Sequence, residues 1–269
     1  MKEVVKTIRR YLSLLLTFAK NSLAGQLEYR INFLCGIFVE TGFMLSKLTY
    51  VVLIYKTNIS INGMSPDHML IFIGTYAIMT GLYMSIYPNF CNIAGYVKEG
   101  TLDMLITKPV SLLFLVSFRY IDFAMPIPNI LGGIIMVWVG WARSGLAFSW
   151  GMLLIFVGYF VLGMILTYSI YLLPRLVAFW TTSSNGIIQI SDSLWDFNNM
   201  PMKIYHRVIQ EIGCFLFPVF LITNMPGLIL TDTIPVGFVI WSVIVPFLAL
   251  GITLMTWRHA VKSYTSASS

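Results

Sequence analysis

The sequence predicts an all-α, polytopic membrane protein with about six transmembrane helices. Three observations carry that expectation. Of the 269 residues 58% are hydrophobic and 10% charged, with mean hydropathy +0.82, whereas a soluble domain carries about 25% charged residues. The apolar residues form unbroken runs, suited to helices of about 20 residues that cross a bilayer, and lack the alternation of barrel strands. The net charge of +6 comes from Lys and Arg at run ends, as in cytoplasmic anchors, and not from a basic, aromatic-rich surface that would bind nucleic acid. Cys35, Cys91 and Cys214 are far apart, match no metal or disulfide spacing, and read as packing residues.

Residues 1–30 place Val5, Ile8, Leu12, Leu15, Ala19 and Leu23 at helical spacing, opposite Glu3, Lys6, Arg10, Ser13, Thr17 and Lys20. That pattern predicts a basic amphipathic helix lying along the membrane surface. A signal peptide cleaved near Ser22-Leu23-Ala24 is the rival; the spaced polar residues and Lys20 weigh against it. Residues 31–55 form the first span. Glu40 and Lys47 fall on one of its faces roughly 10 Å apart, too far to bond directly. Charges inside a membrane face protein or water, so the two are candidates for a translocation path, or each pairs with a neighbouring helix. The turn signals Asn62-Gly63 and Ser65-Pro66-Asp67 lead into the second span, 69–92, with Gly74, Gly81 and Ser85 as small contact residues.

Residues 97–111, VKEGTLDMLITKPVS, are a short polar break between two apolar runs. Gly100 interrupts the incoming helix. Thr101 is placed to cap a new one, and Asp103 falls in its first turn, where a carboxylate suits the positive helix end. Pro109 after Lys108 ends that helix within about two turns. Leu102, Leu105 and Ile106 share one face. Such a helix offers three aliphatic side chains that need a partner, or that rest in lipid.

The third span, 111–141, would be about 46 Å long as one helix against a core of about 30 Å. Its start therefore lies at the cytosolic interface, with Arg119 and Asp122 as an i, i+3 ion pair at the inner mouth and Pro126 and Pro128 kinking the helix above. Residues 151–173 form the fourth span, ended by Pro174-Arg175. Residues 176–197 read as a fifth span despite the polar run Thr181-Thr182-Ser183-Ser184-Asn185-Gly186. Asp192 and Asp196, around Trp195, are candidates to line a water-accessible path. The alternative makes 176–197 a cytosolic amphipathic stretch and 210–230 the fifth span. Pro201, Pro218 and Pro226 divide the segment before the last span, 236–257, which Arg258, His259 and Lys262 anchor. With the amino end inside, Lys6, Arg9, Arg10, Lys98, Lys108 and Arg258 are among many inner cations, against Lys56, Arg143, Lys203 and Arg207 outside, a positive-inside bias.

The sequence contains no GxxxxGK[ST] phosphate loop, no HExxH and no GxSxG, and His68, His206 and His259 stand alone. These absences predict a transporter and not an enzyme, driven by a partner or an ion gradient.

Glu99-Gly100-Thr101-Leu102-Asp103, then Leu105 and Lys108-Pro109 with Ser111, resembles the cytosolic loop of ABC type-2 transporter permeases. The resemblance runs over nearly the whole chain. It implies that Glu99, Gly100, Thr101, Leu102, Asp103, Leu105, Ile106, Lys108 and Pro109 dock on separate ATPase subunits, two per complex, which hold the ATP and Mg while this chain holds no cofactor. It also implies an amino-terminal surface helix, an outer re-entrant hairpin over 201–230, and a second permease subunit, identical or homologous, with substrate passing between first, second and fifth helices. The location it implies is the bacterial inner membrane, with both termini cytosolic. Two other classes stay open: an ion-coupled transporter or channel using Glu40, Asp192 and Asp196, though its usual inverted repeats are not visible, and a membrane assembly or lipid-handling protein.

Overall fold

The computed structural model describes residues 2–57, 63–87, 89–181, 184–231 and 234–264; Asn62 of the first turn signal, and Thr182 and Ser183 of the polar run, lie outside them. The described residues form helices and no strands. In chain order the helices are α1 (Lys2–Glu28), α2 (Arg30–Thr57), α3 (Pro66–Ile86), α4 (Ile93–Lys98), α5 (Leu102–Ile106), α6 (Leu112–Phe118), α7 (Pro126–Arg143), α8 (Trp150–Arg175), α9 (Asn185–Ser193), α10 (Arg207–Glu211), α11 (Phe220–Thr231) and α12 (Val236–Lys262). Four are long and apolar enough to cross a membrane: α2, α3, α8 with its extension to Phe179, and α12. A fifth span results if Arg207–Leu216 and Phe220–Thr231, bent by 106°, count as one.

α1 is amphipathic, with Val5, Ile8 and Leu12 exposed on its apolar side, as a surface helix requires. α3 is the central helix, buried over most of its length from Met69 to Gly81. Its closest neighbour is α7, and glycine sets the approach. A Cβ on Gly74 would sit 2.8 Å from Gly133 O and 2.8 Å from Val137 N; one on Gly140 would sit 2.9 Å from Asp67 O. Gly74 and Gly81 on α3, and Gly133 and Gly140 on α7, each recur after two turns, so one seam of backbone faces another. Close packing of this kind holds helices together where lipid removes the hydrophobic drive. Gly163 plays the same part between α8 and α11, where a Cβ would lie 2.9 Å from Ile222 O.

Three expected spans are not single helices. The one expected over 69–92 ends at Ile86, and Phe90–Asn92 form a separate 3-10 turn. The helix expected over 111–141 breaks between Phe118 and Pro126. Pro126 does not kink a helix there but starts one, at a position where its missing N–H costs nothing. Residues 176–197 form a short 3-10 turn at Leu176–Phe179, the nine-residue α9 and a second 3-10 stretch at Leu194–Asn199. At about 1.5 Å per residue α9 covers only about 14 Å, too short to cross. The segment nevertheless climbs the bundle. Trp180 stacks on His259 at the α5 end, Trp195 stacks on Tyr83 at 4.7 Å, Asn198 accepts from Thr223 Oγ1 at 2.9 Å, and Pro201 and Lys203 share a crevice with Met64 and His68 at the opposite end. α8 ends at Arg175, as expected, with Pro174 inside its last turn, and passes into the 3-10 turn at Leu176–Phe179.

Candidate functional site

The end of the bundle that carries α4 and α5 concentrates the candidate residues. Gly100 takes φ +69°, a left-handed conformation that favours glycine, and so turns the chain from α4 into α5. Thr101 does not cap α5 as expected. Its backbone is already helical and its buried hydroxyl has no partner, because a cap needs the extended conformation that aims the oxygen at the following N–H groups.

Leu102 and Leu105 share a face, but that face points inward. Leu102 is fully buried and Leu105 is 7% exposed, both in the main core. The expectation that they meet a partner is therefore corrected: the chain covers them itself, at about 1.5–3 kcal/mol each. The apolar side chains that project from α5 are Met104, 65% exposed, and Ile106, 47% exposed. Glu99, Thr107, Lys108 and Pro109 are exposed around them. Asp103 lies beside Tyr264 at the end of α12; burial and then that carboxylate raise the Tyr264 phenol above its ordinary pKa.

The break after α6 is clamped backbone atom by backbone atom. Asn89 Nδ2 donates to Tyr120 O at 3.2 Å. Ile121 N–H donates to Ser22 Oγ at 3.1 Å, and Gln26 Nε2 donates to Ile121 O at 2.7 Å. Asp122 N–H donates to Ser85 O at 3.1 Å, and Ser85 Oγ donates to Asp122 O at 2.9 Å. Phe123 N–H donates to Gln26 Oε1 at 3.0 Å. Backbone N–H and C=O groups outside a helix and shielded from water need such partners. Toward the other end of α1, Arg10 Nη2 donates to Pro109 O at 2.7 Å and Ser111 N–H to Tyr11 Oη at 3.2 Å. α1 is thereby tied to both ends of the segment 109–123. Ser22, Gln26 and Asn89 carried no warning in the sequence, because their partners are backbone atoms about 30 to 100 residues away.

The expected Arg119–Asp122 ion pair is absent among the described residues. The i, i+3 geometry needs a helix, and residues 119–125 are not one; Asp122 Oδ1 instead accepts from Met125 N–H at 3.4 Å. The four expected path residues do not converge on one site. Glu40, 8% exposed, accepts from Asn129 Nδ2 of α7 at 2.7 Å. Lys47 sits 4.6 Å over the Tyr76 ring of α3. Asp192 accepts from Arg175 Nη2 at 2.7 Å, and that guanidinium, 2% exposed, also donates to Tyr171 O at 2.6 Å and lies 5.5 Å from the Phe90 ring. Asp196 is exposed beside Trp195. Arg175, expected as a helix-end anchor, is instead a buried link between α8 and α9.

Apolar spans, a central glycine seam and a short helix rooted by two leucines define a polytopic membrane protein. Over residues 41–268 the sequence matches the family described as ABC-2 family transporter protein, and the chain belongs to that family. It is an integral membrane component of an ABC transporter, the kind of permease that associates with ABC ATPase subunits. No curated protein and no solved structure matches the chain.

Proposed function

We propose that this chain is the permease subunit of an ATP-driven exporter and that the ATPase subunits dock on α5 through Met104 and Ile106. The single observation that carries the reading is the two-sided character of α5. Two leucines root it in the core, while two large apolar side chains stand out from it, at the end where Arg10 of α1 reaches Pro109 and Tyr264 after α12 lies beside Asp103. A push on Met104 or Ile106 therefore passes through Leu102 and Leu105 into the spans. Two ATPases hold ATP and Mg, a second permease completes the path, and the α5 end and both termini face the cytosol of a bacterial inner membrane.

The test is the amount of ATPase that co-purifies with the permease. Each docked side chain contributes about 1.5–3 kcal/mol, so Ile106→Asp and Met104→Asp each lower recovery by tenfold or more. Ser13→Asp, on the polar side of α1, leaves it unchanged. Leu105→Asp is the wrong probe, because it buries a carboxylate in the permease's own core. Full ATPase recovery with both α5 variants would overturn the docking proposal.

A further inference from the structure

We propose that the crevice between α1, α6 and α8 is a binding site for one anionic phospholipid, with an acyl chain in the crevice and the phosphate at Arg10 and Lys108. The crevice has a volume of about 820 Å³, and Tyr11, Phe114, Phe118, Val161, Met164 and Tyr168 are among its walls. Along α8 it runs from Val157 to Tyr168, about 17 Å at the helical rise, which is close to half of a hydrocarbon core of about 30 Å. Its depth is thus that of one leaflet, and its walls are apolar along that depth.

The occupant is set by the mouth. Tyr11 and Ser111 border the crevice where the Tyr11 hydroxyl accepts from the Ser111 N–H. Arg10, the next residue on α1, lays its guanidinium on Pro109 O, beside Lys108. Both cations are exposed, and among the described residues neither is paired with a carboxylate. Lys6 lies one turn away on the same side of α1. A second crevice of about 680 Å³ between α7 and α8 adjoins the first at Val157 and Phe160. Near its end Arg143 is paired with Asp67 at 3.3 Å. Unpaired positive charge therefore marks the first crevice, and an anionic head group complements it.

The experiment reads bound lipid by native mass spectrometry on the full chain, with whatever subunits accompany it, from nanodiscs of phosphatidylglycerol and phosphatidylcholine in equal amounts. Phosphatidylglycerol is expected to stay bound in preference. Arg10→Gln lowers its retention about fivefold and Arg10→Gln with Lys108→Gln about 25-fold, as for cations of about 1 kcal/mol each near a membrane surface. Val161→Trp fills the crevice from a lipid-exposed position and lowers retention of either lipid, while Lys262→Gln changes nothing. Equal retention of the two lipids by the unaltered protein would overturn the charge assignment. Undiminished retention by Val161→Trp would overturn the crevice, leaving only lipid held loosely around the protein. Neither readout depends on ATPase docking, so failure here is separate from failure of the exporter reading.

Discussion

The seam between α3 and α7 can be tested with single methyl groups. In Gly74→Ala the new Cβ meets Gly133 O and Val137 N at 2.8 Å and Met136 Cβ at 2.9 Å. In Gly133→Ala it meets Gly74 O at 2.6 Å and Ile78 N at 2.9 Å. The nearest polar atoms are backbone, which cannot rotate aside, so the helices must part by roughly 0.5–1 Å to restore ordinary contact. Overpacking of this sort costs about 1–3 kcal/mol, and rigid neighbours place it near the top of that range. Alanine recovers up to about 1 kcal/mol of helix propensity. The net expectation is a loss of about 2 kcal/mol, or about 4–8 °C in Tm for a protein of this size. Gly158→Ala on α8 is the control: its Cβ meets nothing within 4 Å, so it should be neutral or slightly stabilising. The double variant decides the mechanism. Once the first methyl has parted the helices the second adds little, so the two losses should fall short of additive by about 1 kcal/mol or more. Thermal unfolding in a fixed detergent measures all four variants against the parent protein. Gly74→Ala as stable as Gly158→Ala, or strict additivity in the cycle, would refute the seam.

Two further perturbations follow from the polar contacts. Gln26→Leu removes both side-chain partners from Ile121 O and Phe123 N–H and should cost about 1–3 kcal/mol for each group left unpaired, visible first as faster hydrogen exchange at the Phe123 amide; unchanged exchange there would show that α1 does not hold the break. Asp192→Asn leaves the buried Arg175 guanidinium with a neutral partner. Because Asp192 is about half exposed, the 3–5 kcal/mol typical of a broken buried pair falls to about 1–3 kcal/mol, and protease accessibility near α9 should rise; a Tm equal to that of the parent protein would argue against the link.

What the sequence showed and what it hid follow from the range of the interactions. Gly74 and Gly81 were legible as contact residues because small side chains in an apolar run have little other use. Their counterparts Gly133 and Gly140 repeat the same seven-residue spacing, and that shared spacing is itself a signal that the two helices pair. On α5 the shared face of Leu102 and Leu105 was legible from i, i+3 spacing, but not its direction. Nothing local tells whether core or partner covers a short amphipathic helix. Pro126 and Pro128 marked an irregularity correctly in place and wrongly in kind. Whether proline bends a helix or opens one depends on whether the preceding backbone finds other hydrogen-bond partners, and those partners, Ser22, Gln26 and Ser85, come from α1 and α3.

The Gln26 amide engages a carbonyl on one side and an N–H two residues on, much as an adjacent strand would. Tyr11 and Arg10 make their own contacts at the far end of the same helix, about 22 Å away at the helical rise. The spacing between these two anchor points is consequently a fixed length. A single residue inserted between Tyr11 and Ser22 would turn Gln26 by about 100° away from Ile121 while Tyr11 stayed in place. Related chains are thus expected to vary freely in the lipid-facing identities along α1 yet to keep the count of residues between its anchors, and grafts of α1 between transporters should tolerate substitution far better than a change of length.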